Sequence, residues 1–202
     1  FVGGLIGAIQ LDGKNDLTEN KKVIVEACAN EGDVVNNFNV NKTFSVGGII
    51  GFVNGNSSNA NCKSDLEVKG CCINSATLSL LYAKYSAGII GLIQNPRDVN
   101  QSKVTACWVK NITLPTSGSR ASIVSSANSD KIVFLVDNCW ADKVYNSGYT
   151  CSKYATVTNC CVGKGSGSGI TVASLESKIA DMNTAWGSAT YEFNTDGTIK
   201  TK

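Results

Sequence analysis

The chain has 202 residues, of which 43% are hydrophobic, so it can bury a core as one or two domains or as one elongated array. A formal net charge of +2 with scattered lysines predicts no nucleic-acid partner and no anionic membrane surface as partner, because both use basic patches. The absence of histidine excludes Ser-His-Asp and Cys-His catalysis and HExxH zinc sites.

A short glycine-rich motif recurs along the chain. It reads VGGLIG at residues 2–7, VGGIIG at 46–51 and SAGIIG at 86–91, and a degenerate copy, RASIVS, occupies 120–125. The residue before the apolar pair is number 4, 48, 88 or 122, so the copies are 44, 40 and 34 residues apart. Periods of this size are typical of stacked or radial repeat arrays.

Glycine in this motif predicts a sharp corner where neighbouring backbones approach closely, because glycine has no Cβ. The structural glycines of the motif are Gly3, Gly4, Gly7, Gly47, Gly48, Gly51, Gly88 and Gly91.

Each motif copy is followed, after a turn of variable length, by a small or polar residue and a cysteine. We expect these cysteines to point into the stack, one per coil, as small hydrophobic side chains. This predicted ladder consists of Cys28, Cys62, Cys107, Cys139 and Cys160. The disulfide state of the other four cysteines is left open by the sequence; they are Cys71, Cys72, Cys151 and Cys161.

Two tryptophans directly follow predicted ladder cysteines. If Cys107 and Cys139 point inward, Trp108 and Trp140 point outward on adjacent coils, because side chains alternate along a strand. The pair could form an exposed strip on which a saccharide stacks. Alternatively, a loop or a cap could cover it as an aromatic ladder.

The last part of the chain does not repeat. Residues 163–169 are a Gly/Ser-rich segment that predicts a linker. Apolar residues at Val172, Leu175, Ile179 and Met182 predict a helix within 170–186, capped by Ser174 or Thr171. A hairpin should follow around the turn at 194–197. We expect this tail to hide the open edge of the last coil.

The corners Gly4-Leu5-Ile6-Gly7 and Gly48-Ile49-Ile50-Gly51, each followed by a Cys strand, resemble the GLUG motif, named for a Gly-Leu-any-Gly core. GLUG repeats occur in large bacterial surface and secreted proteins, including filamentous adhesins and surface proteins of gut Bacteroidetes. The resemblance covers roughly residues 1–165. It implies a β-solenoid and an extracytoplasmic role, and it implies no catalytic residues.

Taken together, the patterns predict an all-β fold: a β-solenoid of stacked, β-helix-like coils with a small C-terminal helix-plus-hairpin cap. A β-propeller or a sandwich is the alternative, because short strands with frequent turns suit those folds too. Residues 1–162 would form the repeats, 163–169 the linker and 170–202 the cap.

The leading functional interpretation is a non-catalytic adhesion or scaffold module, secreted or on the cell surface, whose partner is a host or microbial surface glycan or protein. A glycan-binding module and a β-helix carbohydrate-active enzyme are the alternatives. Charged residues considered for such an enzyme are Arg97, Asp98, Arg120 and Asp130, although no spacing marks a carboxylate pair.

We predict no catalytic residue, no cofactor and no metal site, since the chain has no CxxC pair and no histidine. Apolar runs are far shorter than the roughly 20 residues of a membrane span, so no membrane insertion is expected. The first residues already belong to a motif copy, so we expect the chain to be part of a larger polypeptide.

Overall fold

The fold is a stack of parallel β-coils with a helix and a hairpin packed along one side. A computed structural model describes residues 1–11, 21–36, 44–55, 64–80, 83–94, 102–126, 134–145, 155–164 and 170–202. Within these residues the strands of each coil pair in parallel with the equivalent strands of the neighbouring coils. The predicted β-solenoid with a C-terminal helix and hairpin is therefore confirmed.

The described strands form four successive coils and part of a fifth. Coil 1 contains β1 (Val2–Gly3), β2 (Ile6–Leu11), β3 (Lys21–Glu26), β4 (Ala29–Asn30) and β5 (Val34–Asn36). Coil 2 contains β6 (Phe44–Gly47), β7 (Ile50–Gly55), β8 (Ser64–Lys69), β9 (Cys72–Asn74) and β10 (Leu78–Leu80).

The later coils repeat this order. Coil 3 contains β11 (Ala83–Ala87), β12 (Ile90–Gln94), β13 (Ser102–Thr105) and β14 (Trp108–Lys110). Coil 4 contains β15 (Ser119–Ala121), β16 (Val124–Ser126), β17 (Phe134–Asp137) and β18 (Trp140–Lys143). Coil 5 is described at β19 (Thr156–Thr158) and β20 (Cys161–Lys164). The chain continues through β21 (Thr171–Val172), α1 (Leu175–Trp186), β22 (Tyr191–Phe193) and β23 (Ile199–Thr201).

Four parallel sheets run along the stack, and β5 and β10 form a further two-stranded parallel sheet. Sheet 1 is β1-β6-β11-β15, sheet 2 is β2-β7-β12-β16, sheet 3 is β3-β8-β13-β17-β19, and sheet 4 is β4-β9-β14-β18-β20-β21. The register reproduces the repeat periods of the sequence, because Val46 pairs with Val2 on one side and with Ser86 on the other, and Ser86 pairs with Arg120. The degenerate copy at 120–125 thus occupies the same place in coil 4.

The glycine motif forms the corner between sheets 1 and 2. A Cβ on Gly51 would lie 2.6 Å from the carbonyl of Val2 in the preceding coil, and one on Gly91 would lie 2.5 Å from the Val46 oxygen. Coil 4 has Ser125 at this place, and its pairing with coil 3 shifts register by one residue just beyond Ile90. Backbone crowding therefore explains the glycines, and a local register shift accompanies the serine.

The cysteine position forms the corner between sheets 3 and 4. The residue before each corner cysteine has a left-handed backbone with φ between 49° and 60°; these residues are Ala27, Gly70, Ala106, Asn138 and Asn159. Glycine and asparagine adopt this conformation at low cost. In coil 2 the corner is Gly70-Cys71, so Cys71 takes the place that we predicted for Cys62. Cys62 itself lies outside the described residues.

The core of the stack is a continuous apolar column filled by one or two side chains from each strand. Its largest fully buried members in the coils are Ile49, Ile50, Leu66, Ile73, Leu78, Ile89, Ile90, Ile112 and Ile123. Equivalent residues stack on each other from coil to coil, as Ile6, Ile50 and Ile90 do. The core is therefore one column shared by all coils.

The C-terminal strap, which we define as α1 with the β22–β23 hairpin, packs on the outer side of sheet 4. Its 12-residue helix is about 18 Å long, close to four strand spacings of about 4.8 Å. Trp186 at its end contacts Gly70 and donates a hydrogen bond to Glu26 of coil 1. The strap thus lies along the side of the stack, and of the tail only β21 extends the last coil, by pairing with β20. The edge of the last coil is thus covered by β21, and the predicted helix and hairpin cover the side of sheet 4.

Two local predictions for the tail also change. The helix starts after Ser174, whose hydroxyl accepts a hydrogen bond from the Ser177 N–H, so Ser174 rather than Thr171 is the cap. Val172 lies outside the helix, paired with Val162 and 60% exposed. Gly163 and Lys164 of the predicted linker belong to β20, and residues 165–169 lie outside the described residues. The antiparallel hairpin is confirmed.

Candidate functional site

The two tryptophans predicted as a glycan strip lie side by side on sheet 4, where Trp108 pairs with Trp140. Each is only 4% exposed, because the C-terminal strap covers them. The indole N–H of Trp108 donates to the Gly197 carbonyl at 3.0 Å, and that of Trp140 donates to the Ala173 carbonyl at 2.9 Å. The prediction of an exposed strip is therefore wrong, and the alternative of an aromatic ladder under a cap describes the structure.

The corner cysteines form a column through the stack, which we call the thiol ladder: Cys28, Cys71, Cys107, Cys139 and Cys160. The backbone N–H of Cys107 donates to the Cys139 sulfur at 3.4 Å, and that of Cys139 donates to the Cys160 sulfur at 3.4 Å. Each inner thiol donates to a carbonyl of its own coil and to one of the preceding coil, as Cys107 does to Thr105 and Val68. These contacts tie consecutive coils together at the sheet 3–sheet 4 corner.

The inner ladder thiols Cys71, Cys107 and Cys139 are buried and hydrogen-bonded to backbone carbonyls. Burial and hydrogen bonds with Cys139 and Cys71 raise the pKa of Cys107 well above that of an ordinary thiol. Because the thiols of Cys28, Cys71, Cys107 and Cys139 donate to backbone carbonyls, they carry their protons. A buried, protonated thiol is a poor nucleophile, so the role of the thiol ladder is structural.

The neighbours of the ladder cysteines point the other way, toward the C-terminal strap. Cys72 and Cys161 are buried among its apolar residues, and neither forms a disulfide. Burial raises the pKa of the Cys72 thiol to about 12. None of the seven described cysteines forms a disulfide, and Cys62 and Cys151 lie outside the described residues.

A cleft of about 460 Å³ opens where the start of α1 meets the ends of β14, β18 and β20. Lys110, Lys143 and Lys164 line it together with Asp142 and Glu176. Strand register sets Lys143 beside Lys164 on adjacent coils. Its volume lies in the range of small-ligand pockets, which is about 300–1,000 Å³. We call this cavity the lysine cleft.

The polar groups of the lysine cleft are held by local structure. The Asp142 carboxylate accepts a hydrogen bond of 2.9 Å from the Asn111 N–H, which fixes it at the strand ends. Hydrogen bonds from its own backbone N–H and from Ser174 at the start of α1 lower the pKa of Glu176. Trp140 borders the same cleft, but only 4% of its surface is exposed. The three ammonium groups suit a ligand that has an anionic group.

The sequence pattern did not single out these lysines, although a signal exists. A lysine follows the ladder cysteine by three residues in coil 3 (Lys110) and by four in coils 4 and 5 (Lys143, Lys164). Whether Glu176 lines the cleft depends on how the C-terminal strap packs, which no local sequence pattern indicates.

The residues considered for carbohydrate cleavage are not assembled into a site. Arg97, Asp98 and Asp130 lie outside the described residues. Arg120 is half-buried on β15, where it pairs with Ser86. Among the residues that the structure describes, no group of three or more Cys, Asp or Glu side chains is placed to hold a metal ion.

Within the same described parts of the chain, α1 is too short and too polar for a helix that crosses a bilayer. In comparisons with known proteins, no family model, no curated protein and no solved structure matches the chain. The resemblance to the GLUG motif therefore rests on the corner residues themselves.

Proposed function

We propose that the chain is a non-catalytic adhesion or scaffold module of a secreted or cell-surface protein. The observation that carries this proposal is that the described thiols and the three tryptophans serve packing. Six of the seven described thiols are buried and the seventh, Cys28, is half-buried. All three indoles are at most 4% exposed. A chain that places its nucleophiles in the core suits a structural role better than catalysis.

The outer surface of the stack supports the same proposal. On sheet 3, Glu67 of coil 2 forms ion pairs with Lys22 of coil 1 at 3.0 Å and with Lys103 of coil 3 at 3.1 Å. Charged side chains therefore cross from coil to coil on a surface whose backbone is fixed by continuous parallel pairing. Such a surface is stiff and repetitive, which suits the presentation of an adhesive face or the spacing of other domains.

The corner residues support a location outside the cytoplasm. Their resemblance to the GLUG motif implies an extracytoplasmic protein, for which a host or microbial surface glycan or protein is the natural partner. The proposal needs no cofactor.

The test follows binding and cleavage on one sample. The chain is applied to an array of mucin, plant and bacterial glycans and of extracellular proteins, and new reducing ends are assayed in the same wells. We expect retention on some ligands with no new reducing ends. Release of reducing ends would contradict the non-catalytic role, and no retention on any ligand would contradict adhesion.

A second candidate function is glycan binding, and the lysine cleft is the observation that favours it. Lys110, Lys143 and Lys164 can pair with a carboxylate or sulfate. The ligand class proposed for the cleft is therefore an acidic sugar residue. This site differs from the strip predicted from the sequence, because only an edge of the cleft is aromatic and Trp108 does not line it.

Calorimetric titration with uronic-acid oligosaccharides tests this second candidate. Lys164→Ala should weaken binding about tenfold, the effect of losing one charge-assisted contact. Lys84→Ala is the matched control, because Lys84 is equally exposed but lies over Tyr85, away from the cleft. Equal binding by both variants would exclude the cleft, and tighter binding of neutral oligosaccharides would exclude acidic sugars as its ligands.

A further inference from the structure

Coil 1 exposes side chains that the other coils bury. Leu5 is 52% exposed, whereas the residues stacked on it in coils 2, 3 and 4 are fully buried; these are Ile49, Ile89 and Ile123. Ile6 is only half-buried, although Ile50 and Ile90 in the same column are fully buried. The upper face of coil 1 is thus a cross-section through the apolar core.

Gly7 has space where its equivalents have none. A Cβ on Gly51 would lie 2.6 Å from Val2 of the preceding coil, and one on Gly91 would lie 2.5 Å from Val46 of the preceding coil. A Cβ on Gly7 would meet no atom of the described residues within 4 Å. No described residue of coils 1 to 5 therefore requires glycine at this corner, although a preceding coil in the same register would.

The thiol ladder is also incomplete at Cys28. The inner thiols Cys71, Cys107 and Cys139 each donate to a carbonyl two residues back and to a carbonyl of the preceding coil. Among the described residues, Cys28 donates to one carbonyl, that of Glu26 two residues back, and it is half-buried. Within the described residues, the Cys28 thiol thus lacks the second carbonyl acceptor, which the preceding coil supplies to each inner thiol.

We propose that this open face, defined by Leu5, Ile6, Gly7 and Cys28, binds another β-coil of the same kind in parallel register. The docked coil would set a backbone carbonyl over Gly7, as Val2 does over Gly51, and would offer a carbonyl to the Cys28 thiol. Main-chain pairing along the free edges of β1 to β4 would continue the four sheets. The established coil-to-coil contact, repeated at each step of the stack, defines the geometry of this interface.

Strand direction argues against a second copy of this chain as the occupant. Two copies that met through their open faces would be related by a two-fold axis, so their strands would run antiparallel and could not reproduce the parallel glycine corner. Stacking of copies end to end would need a second open face at the last copy of the glycine corner, in coil 4. Ile123 and Val124 of that corner are fully buried.

The test extends the chain by one of its own coils. A copy of residues 44–84, which contains coil 2 and its link to the next coil, is fused ahead of Phe1 so that Phe1 takes the place of Tyr85. Gly7→Ala is then made in both the native and the extended chain. We expect the substitution to leave the unfolding equilibrium of the native chain unchanged and to shift that of the extended chain at least about tenfold. Gly51→Ala is the positive control in both.

Two further readouts keep the outcome decisive. The rate at which Cys28 is alkylated should fall in the extended chain, and an added coil that failed to fold or dock would leave it unchanged and overturn the proposal. Equal tolerance of Gly7→Ala in both chains would overturn it as well. Sedimentation of the native chain as a dimer that Leu5→Lys dissociates, but Val172→Lys does not, would assign the face to a second copy instead.

Discussion

Coils 1 and 2 carry nearly the same corner, VGGLIG and VGGIIG, yet their environments differ. In coil 2 the corner lies between two coils, so Ile49 and Ile50 are fully buried and Gly51 has no room for a side chain. In coil 1 the same residues contact one coil only. The motif therefore marks a position within a coil, whereas the stability that the position contributes depends on the coils on either side.

The largest expected effect compares one residue type at one place in the two coils. Ile50→Ala should cost about 3–4 kcal/mol in free energy of unfolding, because it opens a cavity in a fully buried column. Ile6→Ala should cost about 1 kcal/mol, since Ile6 is only partly buried and solvent can fill the space. Urea unfolding monitored by circular dichroism measures both. Equal costs would show that coil 1 is as well packed as coil 2.

The thiol ladder gives a smaller effect of the same kind. Cys107→Ala should destabilise the chain by about 1–2 kcal/mol, because it removes a fully buried side chain with two carbonyl contacts. Cys28→Ala should change the free energy of unfolding by less than about 0.5 kcal/mol, since Cys28 is half-buried and makes one such contact. Thermal unfolding of the two variants under reducing conditions distinguishes them. A larger loss at Cys28 would contradict the open face.

The ion pairs of Glu67 should give the smallest effect, and it depends on pH. Burial raises the pKa of Glu67, but hydrogen bonds and charge pairing with Lys22 and Lys103 outweigh burial and hold the pKa below its usual value. A carboxyl with a lowered pKa contributes stability above the unfolded pKa of about 4.3, and that stability is lost as the pH falls through the folded pKa. Because both lysines are more than 40% exposed, we expect less than about 1 kcal/mol.

Glu67→Gln is the matched variant for this measurement. Urea unfolding of the native chain should lose more stability between about pH 5 and pH 3 than unfolding of Glu67→Gln does, because only the native chain has the titrating carboxylate. Removing Lys22 or Lys103 separately, as Lys22→Ala and Lys103→Ala, then compares the contact with coil 1 to the contact with coil 3. Identical pH profiles for the native chain and Glu67→Gln would show that neither ion pair matters.

The sequence predicts the stacking register well because the corner is a local steric requirement. Glycine recurs where two backbones approach at the corner between sheets 1 and 2. The sequence periods of 44, 40 and 34 residues are the separations between the stacked corner residues Gly4, Gly48, Gly88 and Ser122. The second corner is harder to predict. Asn61-Cys62 and Gly70-Cys71 both fit a small or polar residue before cysteine, and the choice depends on where β8 ends.

The candidate site was less predictable because the C-terminal strap creates it. Alternation along a strand correctly indicates that Trp108 and Trp140 point away from the ladder, but no local pattern shows that α1 packs over them. The same packing makes the lysine cleft, since Glu176 of α1 lines it together with the three strand lysines. Val172 fits the helical spacing of the tail, yet it pairs with Val162 because the helix begins only after its cap at Ser174.

Site-resolved alkylation of the native chain, read by mass spectrometry, tests the central claim most directly. The claim is a parallel stack in which one cysteine per coil is sealed between neighbouring coils, except at coil 1. Cys28 should be modified first of the ladder thiols, whereas Cys71, Cys107 and Cys139 should react only when the stack unfolds, because their burial blocks the reagent. Modification of Cys107 and Cys139 as fast as Cys28, or their recovery in disulfides, would contradict the stack.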